Sequence, residues 1–166
     1  LDTTLQQVAS DALGNNKGAV VALDPKTGEI LAMVSKPTFN PNNLADEMNA
    51  ANSGSGEDSP LINRAINGLY PPGSVFKTVT LTSALENIPS VVDRTFSDEG
   101  KIKFPDGRSL SNFGNNAYGS IDLKQAYKVS SNVVFGTLAM ELGNDALKST
   151  AEDYGFNSVI KGPGIS

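Results

Sequence analysis

The chain of 166 residues has no cysteine and no histidine. Without cysteine there is no disulfide, no thiolate nucleophile and no Cys-ligated zinc. Without histidine there is no Ser-His-Asp triad and no imidazole-bound metal. Any serine nucleophile must therefore find a different base, and lysine is the obvious candidate. Basic clusters are missing as well: 13 Lys and Arg stand against 18 Asp and Glu, a net charge of -5. That balance argues against nucleic acid as a partner. No apolar run is longer than Ala19 to Leu23, far short of the roughly 20 residues that a membrane helix needs. No secretory leader is legible, because residue 1 runs straight into a helical pattern. There is no internal repeat.

What is present fits one domain with a real core, at 39% hydrophobic residues. Asp2 or Thr3 can cap a first helix whose Leu5, Val8, Ala9, Ala12 and Leu13 make an apolar stripe, closed by Gly14. Gly18–Leu23 and Glu29–Ser35 read as strands joined by the turn residues Asp24-Pro25-Lys26-Thr27-Gly28, hence a β-hairpin covered on at least one face. Residues 36 to 59 are rich in Pro and Asn and read as a long surface excursion. One short helix is expected there near Leu44–Ala51, followed by a mobile Ser/Gly stretch, Asn52–Gly56. A helix opens at or after Gly73 and runs to about Asn87, with Val75, Phe76, Val79, Leu81, Ala84 and Leu85 largely apolar. Pro89–Ser120 is irregular, with a small hairpin expected around Lys101–Phe104. Ser120 is expected to cap a helix that Ser130-Ser131-Asn132 interrupts. Two more helices follow, one ending near Gly143 and one from Asp145 to Tyr154.

Two short motifs carry chemistry. Ser74 and Lys77 lie three residues apart at a helix start, so they share one face. A serine hydroxyl is too weak an acid to ionise unaided, and a lysine one turn on can take its proton if burial lowers the amine pKa. Taken alone, the pair also describes a Ser cap followed by a solvated Lys. Ser130-Ser131-Asn132 alone reads as a helix cap and turn; its functional reading is a proton-relaying hydroxyl, Ser130, beside a positioning amide, Asn132.

In this order, Asn63-Arg64-Ala65, Tyr70-Pro71-Pro72-Gly73-Ser74-Val75-Phe76-Lys77 and Ser130-Ser131-Asn132-Val133 resemble the transpeptidase domain of bacterial penicillin-binding proteins. The run Gly18–Met33 resembles the first two strands of that domain, and the class B type is the nearer one. The resemblance implies an α/β (α+β) fold of the penicillin-recognising serine transpeptidase and β-lactamase kind, with a helical subdomain and an incomplete antiparallel sheet. It implies that Ser74 is acylated by a stem peptide ending in D-Ala-D-Ala, with Lys77 as base, Ser130 as proton relay to the leaving D-alanine, and Asn132 orienting substrate and Lys77. β-Lactams would acylate the same serine. No metal or organic cofactor is implied. The expected place of action is the extracytoplasmic face of the cell membrane, through an anchor outside this chain.

The family's third motif, Lys-Thr-Gly, follows the other two in chain order. Here Lys26-Thr27-Gly28 precedes Ser74 and reads as a hairpin turn, and the tail Lys161-Gly162-Pro163-Gly164 is too turn-like to serve. Residues 1–166 are therefore expected to be the N-terminal portion of one transpeptidase domain, impaired alone and open to self-association at its strand edges. Three other readings share these residues: a serine β-lactamase, a β-lactam sensor, and a non-catalytic module that binds cell-wall peptide or a partner. Acylation of Ser74 separates enzyme from binder, and fast turnover of the acyl-enzyme separates β-lactamase from transpeptidase.

Overall fold

The computed structural model describes residues 1–53 and 59–159. It divides into two compact units, Leu1–Pro71 and Pro72–Ser166.

In the first unit, helix α1 (Thr3–Leu13) starts where the Asp2 carboxylate accepts from Leu5 N at 2.8 Å, satisfying one orphan amide of the first turn. It ends at Gly14, whose φ of 56° lies where a side chain is strained. Strands β1 (Gly18–Leu23) and β2 (Ile30–Lys36) pair antiparallel, with Val20 opposite Val34. Ala9 on α1, and Ala32 and Val34 on β2, are buried. Polar contacts also fasten helix to strand. The Gln6 side-chain amide exchanges two hydrogen bonds with the Met33 backbone, at 2.7 and 2.8 Å. Lys36 Nζ donates to Ser10 O and Gly14 O, placing a cation on the negative end of α1. Val8 and Ala12, which the periodicity puts on the apolar stripe, are exposed, because Gln6 and the small Ala9 make the close approach instead.

Lys26-Thr27-Gly28 forms the β1–β2 turn. Asp24 Oδ1 accepts from Lys26 N and Thr27 N, and Gly28 (φ 74°) closes the reversal. Helix α2 (Leu44–Ser53) falls in the Pro/Asn-rich excursion. From Gly54 the expected mobile stretch lies outside the described residues, as does the tail from Lys161. A one-turn helix α3 (Arg64–Asn67) is capped by Asn63, with Arg64 buried.

The second unit holds α4 (Lys77–Asn87), β3 (Thr95–Asp98), β4 (Lys101–Lys103), β5 (Ser109–Ser111), β6 (Gly119–Asp122), α5 (Leu123–Lys128) and α6 (Asn132–Asp153). The expected hairpin is β4–β5, with Ile102 opposite Leu110. A second pair, β3–β6, was not expected, and it takes in Ser120, which lies in a strand rather than at a cap. Asp122 caps α5 instead, accepting from Gln125 N at 2.6 Å. One core joins Ala84 of α4 and Ile88 at its C-terminal cap, Phe96 of β3, Ile121 of β6, Ala126 of α5, and Val134, Phe135 and Leu138 of α6. Full burial of a side chain such as Leu138 is worth roughly 1.5–3 kcal/mol. On α4, Val79 and Ala84 are buried while Leu85 is exposed, as is Val75 just before the helix, so α4 buries one face. α6 breaks at Gly143, whose φ of 72° and ψ of 179° are accessible in practice only to glycine. The two helices expected there are the two halves of α6.

Candidate active site

Pro71 and Pro72 stop the preceding chain, and Gly73, at φ 58°, turns it into a 3₁₀ turn, Gly73–Phe76. That turn continues directly into α4, with Lys77 N donating to Ser74 O and Val75 O. Ser74 and Lys77 therefore stand one turn apart, and Lys77 Nζ lies 3.4 Å from Ser74 Oγ.

The Ser130-Ser131-Asn132 segment is two helix ends back to back. At the C-terminus of α5, Ser131 N donates to Ala126 O and Ser130 N to Tyr127 O, at 2.9 and 3.1 Å. This is a Schellman motif with Ser130 at the left-handed position, φ 57°, where glycine is the usual occupant. Ser131 then caps α6, its hydroxyl accepting from Val134 N at 3.0 Å. The cap-and-turn reading thus holds for Ser131. Ser130, one residue earlier, is aimed elsewhere.

Its direction is Lys77. Lys77 Nζ lies 2.6 Å from Ser130 O, 2.9 Å from Ser130 Oγ and 2.6 Å from Asn132 Oδ1. Ser74 and Ser130 are exposed, whereas Lys77 and Asn132 are half-buried, so two open hydroxyls flank a partly desolvated amine. The Phe135 ring, its centroid 6.0 Å away, forms part of the amine's apolar surroundings. Burial pulls the Lys77 amine below its ordinary value of 10.5, because the charged form loses hydration. The four residues singled out from sequence converge on one nitrogen.

This arrangement can move protons. Ser130 O and Asn132 Oδ1 have no hydrogen to give, so both must receive N–H bonds from Lys77. In the neutral amine those two bonds use both hydrogens, and the lone pair is left for the hydroxyls of Ser74 and Ser130. A serine flanking the amine can then lose its proton to it. Neither of two cavities, about 310 Å³ lined in part by Gln6, Met33 and Ile62 and about 520 Å³ beside the β4–β5 turn, is lined by any of the four. Among the described residues no cluster of three His, Cys, Asp or Glu side chains could hold a metal ion.

Sequence reasoning missed what stands behind the motif. Asn132 Nδ2 donates to Ser111 O at 2.7 Å, and Asn112 Oδ1 accepts from Asn132 N at 2.7 Å and Val133 N at 3.2 Å. Asp98, fully buried, accepts from Ser131 Oγ at 2.5 Å and from Asn112 Nδ2 at 2.8 Å. A signal did exist. Alternation along Thr95-Phe96-Ser97-Asp98 puts Asp98 on the buried face of β3 beside Phe96.

Comparison with known proteins gives the family and the fold. Residues 18–164 match the model of the penicillin binding protein transpeptidase domain. The D,D-transpeptidase domain of a peptidoglycan glycosyltransferase from Eggerthella lenta superimposes with a TM-score of 0.89 at 46% identity, covering 96% of this chain and 38% of that one. Penicillin-binding protein A from M. tuberculosis, solved as a penicillin G acyl-enzyme complex, gives 0.83 at 35% identity, covering 93% of this chain and 39% of that one. The peptidoglycan D,D-transpeptidase PbpA of Mycolicibacterium smegmatis is 38% identical over 95% of this chain, which spans 36% of that relative's length. The fold is that of penicillin-binding protein transpeptidase domains. The chain belongs to the penicillin-binding protein transpeptidase family.

Proposed function

We propose that this chain carries the nucleophile, base and proton relay of a peptidoglycan D,D-transpeptidase. Ser74 Oγ attacks the carbonyl of the penultimate D-alanine of a stem peptide while Lys77 Nζ takes its proton. The start of the helical run at Gly73–Lys77 favours the negative charge that develops on the carbonyl oxygen. Collapse breaks the peptide bond, the terminal D-alanine leaves with a proton passed from Lys77 through Ser130 Oγ, and the acyl group stays on Ser74. The amine of a second strand then attacks the ester, forming the cross-link and returning the proton to Ser74. β-Lactams react with the same serine by opening their ring. The site works outside the cytoplasmic membrane, where peptidoglycan lies. The observation that carries this reading is the convergence of Ser74, Ser130 and Asn132 on the half-buried Lys77 amine.

The test is intact mass after incubation with benzylpenicillin, on the full-length protein and on its Ser74→Ala variant. We expect one adduct of the mass of the penicillin, absent from the variant. An adduct that persists in Ser74→Ala, or none on a protein shown to be folded, overturns the assignment. Rapid loss of the adduct would mark a β-lactamase instead.

A further inference from the structure

Asp98 is a carboxylate with no exposed surface, and no ion pair among the described residues includes it. A buried charge without a counter-ion needs a full set of hydrogen-bond donors. Asp98 has three: Gly100 N at 2.9 Å to Oδ1, the Asn112 amide at 2.8 and 3.0 Å, and the Ser131 hydroxyl at 2.5 Å to Oδ2. Gly100 must be glycine for the first of these. It sits at φ 81°, and a Cβ there would meet the backbone oxygen of Asn115 at 2.9 Å.

A carboxylate only accepts, and this sets the direction of every bond around it. The Asn112 amino group must face Asp98, so its Oδ1 faces the opposite way and receives the first two amides of α6, Asn132 N and Val133 N. The Ser131 hydrogen must point at Asp98, which frees its lone pairs for Val134 N, the third amide. One charge on β3 thereby holds the start of α6 from two sides. Asn132 is the first residue of that helix, and Ser130 is the residue before its cap. Both grip Lys77 Nζ within 3 Å.

We infer that Asp98 is a positioning residue for acylation: through Ser131 and Asn112 it holds Ser130 and Asn132 where they set the Lys77 amine beside Ser74. An asparagine at 98 keeps the shape but brings an amino group. Whichever way it is turned, that amino group opposes the Asn112 amino group, which bonds both carboxylate oxygens, and with it either Gly100 N or the Ser131 hydroxyl, so the hold on the start of α6 is weakened. The first-order acylation step depends on this alignment, whereas the initial docking of a β-lactam does not.

The inference rests on the acyl-transfer reading, and the experiment separates the two. Acylation by a chromogenic β-lactam is followed against its concentration in the full-length protein, which resolves the acylation rate constant from the dissociation constant of the preceding complex. Asp98→Asn is expected to melt as a folded protein, to bind within about twofold of wild type, and to acylate roughly 10- to 100-fold more slowly, the range that a sub-ångström to 1 Å displacement of a reacting group produces. Ser131→Ala removes one of the same bonds and should act in the same direction. The double variant should lose no more than the worse single variant, because both break one chain of contacts. If Asp98→Asn does not fold, Ser131→Ala carries the test with the same criteria. Wild-type acylation with an unchanged rate constant in the folded variant overturns the role of Asp98 and leaves the proposed function standing. Failure of the wild type to acylate overturns both.

Discussion

Lys77 meets four oxygens, and two of them can only accept. In the proposed mechanism this asymmetry lets the neutral amine act as the base toward serine, and burial lowers the pH at which it becomes neutral. The sign is direct. Below its folded pKa the amine holds a third hydrogen and has no lone pair; above it, the lone pair is free. The acylation rate should therefore rise with pH and level off before the ordinary lysine value of 10.5. Stopped-flow acylation from about pH 6 to about pH 10 checks this, and a flat profile would remove Lys77 from the base role. At this scale Ser74, Lys77, Ser130 and Asn132 could be singled out from two short motifs taken with their family resemblance, since each motif alone fits a helix cap equally well. It was silent about the link from Asp98 to Ser131, which lie 33 residues apart and meet only through folding.

At the scale of elements, the loop that delivers Ser130 is a helix ending and a helix beginning. Ser130 occupies the left-handed position of the first, where an L side chain costs roughly 1–2 kcal/mol relative to glycine. Ser130→Gly should consequently be more stable than Ser130→Ala by about 1 kcal/mol, although both lose the hydroxyl. Urea unfolding of the two variants measures the difference, and the reverse order would mean the residue is not left-handed in solution. The stored strain sits where the hydroxyl is wanted, and serine is the residue that supplies it. Helices α1, α2 and α4, the β1–β2 and β4–β5 hairpins and the break at Gly143 could be read from periodicity and turn residues. The β3–β6 pair could not. Each strand has four residues, and the whole β4–β5 hairpin lies between them in the chain, so no local signal gives their register.

At the scale of the whole molecule, the second unit depends on one apolar core that gathers α4, α5 and α6 with β3 and β6. Leu138, fully buried at its centre, should cost about 2–5 kcal/mol when cut to alanine, the range for core leucines. Val75 is beside Ser74 yet 76% exposed, and its alanine variant should change stability by no more than about 0.5 kcal/mol. Denaturant unfolding of both gives the contrast, and equal losses would contradict the packing. The sequence by itself determined the chemistry open to this protein. With no cysteine and no histidine, a serine nucleophile has lysine as its natural base, and spacing alone sets Ser74 and Lys77 on one helical face. It also determined most of the elements, since helix periodicity and turn residues are local. Only the tertiary structure decided that Ser130 and Asn132 close on the same nitrogen and that a buried carboxylate stands behind them. The reason is physical: a hydrogen bond acts over about 3 Å of space and is indifferent to distance along the chain.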